Sequence, residues 1–269
     1  VSDFLDAGHT LEEFRSLAKT AAAPPLDSAS GSAAVRKSFG GAVEVLSGGE
    51  WRGVIGYNSF RQSIEKRVKT PYDGKPGPWS DPDTAETMLW LEEKHDLEFE
   101  AGTVDRAVMT VAHRNTFNPA QERLKELARL WDGTQRLETW LTTYLNAKQN
   151  DSNREYQAEI GQAFLKGVAA RVLFPGCKRD DVIVIRGEQG WRKSTAAVAV
   201  SDCIHPESFT DSVDLGNLAE AKIQIRGVII AELSELAGMQ RGEVETIKAF
   251  VATKSDHFRE KFGKYAGDF

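Results

Sequence analysis

Hydrophobic positions repeat with helical spacing near the start of the chain, and a polar, glycine-rich stretch follows them. Apolar residues three and four positions apart predict a helix over 10–21, with Thr10 as its cap. Residues 22–49 are rich in Ala, Ser, Gly and Pro, a composition that buries too little apolar surface to fold by itself. The pattern therefore predicts a helix and a flexible linker over 1–49.

The next hundred residues predict a mostly helical module over 50–150. A turn-dense stretch at 71–79, with two glycines and three prolines, precedes its main helices. Each of these has apolar residues at helical spacing, and most begin at a capping residue or a proline. The four predicted helices cover 81–94, 103–113, 119–130 and 137–145.

The pattern changes after residue 150. A long helix predicted over 155–173 is followed by Val182-Ile183-Val184-Ile185, a β-branched run typical of a strand buried on both faces of a parallel sheet. The later predicted elements are a helix from 194 to about 201, a second buried strand at 228–231 and a helix over 243–252. Because strands alternate with helices, we expect an α/β core with a parallel sheet over 151–269.

The segment between the first predicted strand and its helix has the spacing of a phosphate-binding loop. It is Gly187-Glu188-Gln189-Gly190-Trp191-Arg192-Lys193-Ser194, followed by Thr195. In such a loop the backbone N–H groups and the dipole of the following helix bind phosphates. We expect Lys193 to reach the terminal phosphates and Ser194 to ligate Mg²⁺, in a site for a nucleoside triphosphate. The alternative is an ordinary glycine-rich turn between a strand and a helix.

One position of this loop departs from the usual pattern. Arg192 stands where a glycine is usual, and that glycine often has a positive φ, so an arginine there would carry strain of roughly 1 kcal/mol or more. Two interpretations are open. The guanidinium adds a cation for the phosphates, or the loop binds a nucleotide but hydrolyses it poorly.

Acidic and basic residues in the last forty positions are further candidates. Glu232 ends the second predicted strand, and a carboxylate there suits Mg²⁺ coordination and activation of the attacking water. The alternative is the acidic first turn of a helix. Residues 256–265 form a basic and aromatic cluster, in which Arg259 is a candidate arginine finger for a neighbouring subunit or a contact to the DNA backbone. A solvated loop is the alternative for this cluster.

Composition narrows the function classes further. The 269 residues carry a formal charge of -6, which argues against a basic surface that coats nucleic acid but allows a local basic groove. Cys177 and Cys203 cannot form a disulfide framework, and the five histidines show no metal-ligand spacing with them, so we expect no structural zinc. Five residues of the helical module could contact nucleic acid; the alternative is that they are charged and polar residues on solvated helix faces. They are Arg106, His113, Arg114, Asn115 and Arg136.

Hydropathy and the chain ends give two more expectations. No apolar run approaches the roughly 18 residues of a membrane helix, and no signal pattern opens the chain, so we expect a cytoplasmic protein without membrane contact. The chain begins at Val1 without a methionine, so we expect a piece of a longer polypeptide, with an α/β core truncated at its C-terminus.

With these residues in view, the chain resembles the virulence-associated protein E family. These are phage and genomic-island proteins related to superfamily 3 helicases and often found with primases. The resemblance covers 115–269 well and 51–114 loosely. The motifs that carry it are Phe117-Asn118-Pro119, Trp131-Asp132-Gly133 with Arg136-Leu137, the 187–195 loop, Ala231-Glu232-Leu233-Ser234-Glu235-Leu236, and Phe258-Arg259 with Phe262-Gly263-Lys264.

The resemblance implies an ATPase core of the AAA+ kind that forms rings and moves along or melts single-stranded or forked DNA. It implies that Glu232 and Glu235 serve metal and water, and that Arg259 is the finger. A primase or another replication protein is an implied partner, in the cytoplasm of a bacterial host. We therefore expect an ATP-dependent DNA helicase or replication ATPase. The alternatives are a truncated or degenerate module that binds DNA or a replication partner without hydrolysis, and a small-molecule kinase, for which no substrate lid is evident.

Overall fold

The computed structural model describes residues 37–188, 190–233, 241–252, 257–259 and 266–268. The helix predicted over 10–21 lies outside these ranges. The described chain divides into two compact units. The first runs to Ile55 and includes Lys66–Val111, and the second contains Gly56–Glu65 and the chain from Ala112 onwards. The domain boundaries predicted near residues 49 and 150 remain predictions.

The described elements up to residue 150 combine helices with four short strands. In chain order they are α1 (Phe39–Ser47), β1 (Ile55–Asn58), β2 (Ser63–Lys66), β3 (Gly77–Pro78), α2 (Asp81–His95), α3 (Ala101–Arg114), β4 (Thr116–Phe117), α4 (Pro119–Arg129) and α5 (Trp140–Leu145). All four helices predicted in this region are present within a few residues of their predicted ends. The strands were not predicted, because two to four residues are too few to establish an alternating pattern.

The later described elements alternate between helices and strands. They are α6 (Arg154–Leu173), α7 (Lys193–Ile204), β5 (Phe209–Thr210), α8 (Leu218–Gln224), β6 (Ile230–Ala231), α9 (Arg241–Ala252), β7 (His257–Arg259) and β8 (Ala266–Asp268). The predicted helices at 155–173, 194–201 and 243–252 correspond to α6, α7 and α9. None of the described helices is both long and apolar enough to span a bilayer.

Helix α1 lies inside the stretch predicted as a linker, and the prediction is wrong for 39–47. The Ser38 hydroxyl caps the helix by accepting a hydrogen bond from the Gly41 N–H at 3.2 Å. Val43 and Leu46 are buried on one side of the helix. The prediction failed because it used the average composition of 22–49, which is rich in glycine. The short apolar run within that stretch is enough to bury one face of a helix.

The first unit packs its core around an aromatic cluster. The Trp51 side chain is 1% exposed, and its ring centroid lies within 5.7–6.2 Å of the rings of Tyr72, Trp79 and Trp90. Helix α2 begins with a capping box between Ser80 and Asp83, which explains its sharp start. Apolar residues of α2 and α3 complete this core: Leu91, Val104, Ala107, Val108 and Val111.

The second unit contains parallel strand pairs, but a complete parallel-sheet core is not shown. Strand β1 pairs in parallel with β4, with Tyr57 opposite Thr116. Strand β5 pairs in parallel with β6, with Phe209 opposite Ile230, and α8 connects them. The strand predicted at 228–231 is thus present, although shorter. Strands β7 and β8 pair in antiparallel fashion.

The prediction of a buried strand at 182–185 is wrong. Residues 181–188 have neither helix nor strand structure, and the side chains of Val182 and Val184 are 53% and 56% exposed. A parallel strand exists only where a neighbour supplies hydrogen bonds, and β5 and β6 pair with each other. Within the described ranges no strand pairs with 182–185, so the β-branched run is not part of a sheet.

Candidate functional site

The loop between residues 181–186 and α7 has two residues in the left-handed region. Gly190 has a φ of 87° and Arg192 a φ of 54°. Arg192 is the N-cap of α7, and its carbonyl accepts a hydrogen bond from Ala196 N–H at 3.1 Å. The positive φ expected at Arg192 is therefore confirmed. Gln189 of the same loop lies outside the described residues.

Lys193 turns back towards the start of this loop. Its Nζ donates hydrogen bonds to the carbonyl oxygens of Gly187 and Glu188, both at 2.9 Å. A Cβ added at Gly187 would lie 4.0 Å from Lys193 Cδ and Nζ, so the two residues are close neighbours. An ammonium group has three N–H donors, so one has no partner among the described residues and could meet an anion beside the loop.

Ser194 and Glu232 are 38 positions apart and in direct contact. Ser194 Oγ donates to Glu232 Oε1 at 2.9 Å. The backbone N–H of Glu232 donates to the Thr210 carbonyl at 2.8 Å, which anchors the backbone of Glu232 just after β6. Glu232 Oε2 is buried and has no hydrogen-bond partner among the described residues. The structure thus joins the loop hydroxyl to the acidic strand end.

The other predicted site residues are more scattered. Trp191 is 51% exposed, and Thr195 is exposed in the first turn of α7. Glu235 lies outside the described residues. Arg259 lies in β7 opposite Ala266, and only its backbone is described.

Arg136 and His113 have local partners. The Arg136 guanidinium donates two hydrogen bonds to the Asp132 carboxylate, at 2.6 and 2.9 Å, and holds the pKa of Asp132 well below its usual range. His113 stacks on the Tyr57 ring with centroids 4.3 Å apart. Arg106 donates to the Gly102 carbonyl of its own helix. These contacts favour local structural roles over nucleic-acid binding.

A cavity of about 730 Å³ adjoins the loop. One wall is formed by α5, the connection 146–149 and the start of α6, and the other by residues 183–188 with Trp191 and Lys193. Sequence analysis missed the α5–α6 wall. Its Tyr156 and Gln157 follow no motif, and only their place in the fold brings them near the loop.

A second, more apolar cavity of about 380 Å³ also has Lys193 on its wall, together with Glu232. Most of its other lining residues are aliphatic or aromatic, from α6, α7, α9 and the segment 181–185. The Glu232 carboxylate therefore lies beside apolar surface.

A family model gives this site its context. The virulence-associated protein E-like domain matches residues 124–269, which is more than half of the chain. The chain belongs to this family. The predicted membership of the virulence-associated protein E family is therefore confirmed, and the matched region contains the loop, Glu232 and both cavities. The virulence-associated protein E-like domain indicates a protein associated with phages or other mobile elements. No curated protein matches the chain.

Proposed function

We propose that this virulence-associated protein E-like chain binds ATP with Mg²⁺ at the 187–194 loop and hydrolyses it as a replication ATPase or DNA helicase. One observation carries the proposal: Ser194 Oγ and Glu232 Oε1 are 2.9 Å apart. A loop hydroxyl and an acidic strand end in contact are the two protein groups that a metal–triphosphate complex uses.

The donor set at this contact fits Mg²⁺. Mg²⁺ takes oxygen ligands and usually keeps several waters, so one hydroxyl and one carboxylate are a sufficient protein contribution. Glu232 Oε2 is buried without a partner in the described part of the chain, and a cation beside it would supply the missing counter-charge. When bound, Mg²⁺ would neutralise charge on the phosphate oxygens during transfer of the phosphoryl group.

In this proposal, Lys193 and the N-terminus of α7 bind the phosphates. The ammonium already lies against the loop carbonyls of Gly187 and Glu188, so little side-chain freedom is lost when it meets a phosphate. Helix α7 has 12 residues and begins at Lys193, so its dipole also favours an anion there. The Arg192 guanidinium adds a cation at the same end of the helix.

The helicase part of the proposal is supported by the family likeness. In it, Glu235 helps to activate water, and Arg259 is the finger that reaches the nucleotide of a neighbouring subunit in a ring. The substrate is single-stranded or forked DNA, and a primase or another replication protein is the partner, in the cytoplasm of a bacterial host.

A second candidate is a non-hydrolysing module that binds DNA or a replication partner. Two observations favour it. Arg192 has a φ of 54° at a position where glycine is usual, and the run at 182–185, which precedes the loop, is not paired as a strand. A loop with such flanks holds its phosphates less well than a loop anchored in a sheet.

ATP turnover with and without single-stranded DNA tests the proposal. We expect Lys193→Ala to lower turnover roughly 100-fold or more, since it removes a group that stabilises phosphate charge. Glu232→Gln should retain ATP binding and lose most turnover. Lys166→Ala is the matched control, because Lys166 is exposed on α6 and bonds to Gln162 of its own helix.

The outcomes separate the two candidates. DNA-stimulated turnover that requires Lys193 supports the ATPase. ATP binding without turnover in the parent protein favours the second candidate. No heat with Mg–ATP in calorimetry, or turnover unchanged by Lys193→Ala, overturns the nucleotide site.

A further inference from the structure

Helix α7 is anchored at the end that lies away from the phosphate loop. It has 12 residues, so its two ends lie about 18 Å apart. Its buried residues, Ser201 and Ile204, both lie in the last turn, whereas Ser194 and Thr195 in the first turn are exposed. Because a helix is a rigid element, the contacts of its last turn also determine where its first turn lies.

The loop between β1 and β2 supplies two of the contacts at this end. The Phe60 side chain packs against the apolar cluster that contains Ile204. The Arg61 guanidinium donates through Nη2 to the carbonyl oxygen of Pro206, just beyond the helix, at 3.0 Å. A cation near the end of a helix also interacts favourably with the helix dipole. The β1–β2 loop therefore holds the C-terminal end of α7.

Arg61 also packs where the chain turns towards β6. A Cβ added at Gly227 would lie 2.9 Å from Arg61 Cγ, so the aliphatic part of the arginine lies directly on this glycine. Gly227 lies three residues before β6, and Glu232 follows that strand. One side chain thus contacts the far ends of both elements that bring Ser194 and Glu232 together.

The conformation of the β1–β2 loop is fixed by Asn58, which is 1% exposed. Its Oδ1 accepts hydrogen bonds from the backbone N–H groups of Phe60 and Arg61, both at 3.0 Å. Its Nδ2 donates to Glu65 Oε1 at 2.9 Å. An asparagine that bonds to the backbone just after it stabilises a turn, so Phe60 and Arg61 are held in one arrangement.

We propose that Arg61 is a positioning residue of the nucleotide site. By holding the far ends of α7 and β6, it keeps Ser194 Oγ and Glu232 Oε1 at the spacing at which both can ligate Mg²⁺. The inference rests on the proposed function, since it assumes that Mg²⁺ binds with the nucleotide at this contact. The β1–β2 loop belongs to the second unit but lies outside the residues that match the family model, so the site depends on a segment beyond the family domain.

Titrations of the full chain with Mg–ATP and with metal-free ATP test the inference. Arg61→Ala should weaken binding of Mg–ATP about fivefold and change binding of metal-free ATP less than about twofold, since only the metal needs both ligands aligned. The expected loss is moderate because α4 also contacts this end of α7, through a 3.2 Å hydrogen bond from Arg123 Nε to the Cys203 carbonyl.

A matched variant controls for the loss of an arginine. Arg106 also donates to a carbonyl oxygen, that of Gly102 in its own helix in the first unit, so Arg106→Ala should bind Mg–ATP as the parent does. Calorimetry is carried out without DNA, at a temperature at which thermal melts show each variant to be folded.

Hydrogen exchange in the parent tests the inference without any variant. Coupling between two sites is reciprocal, so Mg–ATP should slow exchange of the amides at 59–61 about threefold or more. Exchange in α3, which lies mostly in the first unit, should stay unchanged by Mg–ATP, and this separates coupling from a general gain in stability.

The failures of the two proposals are distinguishable. If the parent binds Mg–ATP and Arg61→Ala binds it equally tightly, or loses affinity equally with and without Mg²⁺, the positioning role is overturned and the phosphate site stands. Unchanged exchange at 59–61 on binding of Mg–ATP overturns it as well. No binding of ATP by the parent overturns the phosphate site, and this inference with it.

Discussion

Ser194 Oγ, in the first turn of α7, donates a 2.9 Å hydrogen bond to Glu232 Oε1 at the end of β6. This contact brings two distant parts of the chain together at the loop that contains Lys193. The loop motif alone therefore cannot supply both proposed metal ligands. One ligand, Glu232, comes from the end of a strand that lies far from the loop in the sequence.

The first prediction concerns this contact. Ser194→Ala removes the hydroxyl, so we expect it to weaken binding of Mg–ATP about tenfold and to leave binding of metal-free ATP nearly unchanged. Ser194→Thr keeps a hydroxyl and should bind as the parent does. Titrations in Mg²⁺ and in a chelator measure both affinities. Equal losses under the two conditions would show that the hydroxyl acts on the phosphates and not through the metal.

The second prediction concerns the strain at Arg192. Its φ of 54° lies in the left-handed region, where glycine has no penalty and other residues pay about 1 kcal/mol or more. Arg192→Gly should therefore raise the free energy of unfolding by roughly 0.5–1 kcal/mol, after the greater freedom of glycine in the unfolded chain is subtracted. Urea titrations measure it. Arg192→Ala removes the guanidinium but keeps Cβ, so it should not stabilise the protein. A gain of equal size in the alanine variant would attribute the effect to charge.

The third prediction concerns a buried ion pair in the first unit. Lys66 Nζ lies 2.5 Å from Asp83 Oδ2, and the two side chains are only 10% and 9% exposed. Breaking such a pair leaves a buried charge without a partner, so Asp83→Asn should lower the free energy of unfolding by roughly 3 kcal/mol. The matched control is Asp73→Asn, because Asp73 pairs with Lys69 on the surface, where such pairs contribute little.

The same pair predicts a pH dependence. Burial raises the pKa of Asp83, but the hydrogen bonds from Lys66 and Ser80 outweigh it and leave the pKa below its usual value. The carboxylate therefore stabilises the fold fully above the unfolded-state pKa of about 4, and the stabilisation is lost as the pH falls from there through the lower folded-state pKa. Unfolding followed from pH 6 to 2 should show this loss in the parent and a flatter curve in Asp83→Asn. Parallel curves would remove Asp83 as the cause.

The fourth prediction compares two glycines of α6. A Cβ at Gly161 would lie 2.8 Å from Trp140 Nε1 and 3.3 Å from Leu141 Cδ1, so Gly161→Ala should push α5 away and cost roughly 1–3 kcal/mol. A Cβ at Gly167 would come no closer than 4.0 Å to Arg179 Nε, so Gly167→Ala should gain up to about 1 kcal/mol of helix propensity. Thermal or urea unfolding measures both. Similar effects at the two positions would contradict the close packing of α5 on α6.

Much of the helical structure could be predicted from the sequence, whereas of the described strands only β6 was predicted. Helix α2 is recognisable because acidic residues at its start precede a periodic apolar pattern, although the capping residue itself is Ser80. The run at 182–185 has a strong intrinsic preference for the extended state, yet a strand depends on hydrogen bonds from a neighbour that the pattern cannot reveal. Helix α1 was missed for the opposite reason, because composition averaged over 22–49 concealed a short apolar run.

The sequence by itself determined most of the helices and the spacing of the 187–194 loop, and it placed Arg192 at a position where a positive φ is common. These follow from periodicity and backbone sterics, which act over a few neighbouring residues. Only the tertiary structure decided that Ser194 meets Glu232, and that the Arg61 side chain contacts Pro206 and Gly227 at the opposite ends of the two elements involved. Such relationships depend on which elements pack together, and packing is a property of the whole chain.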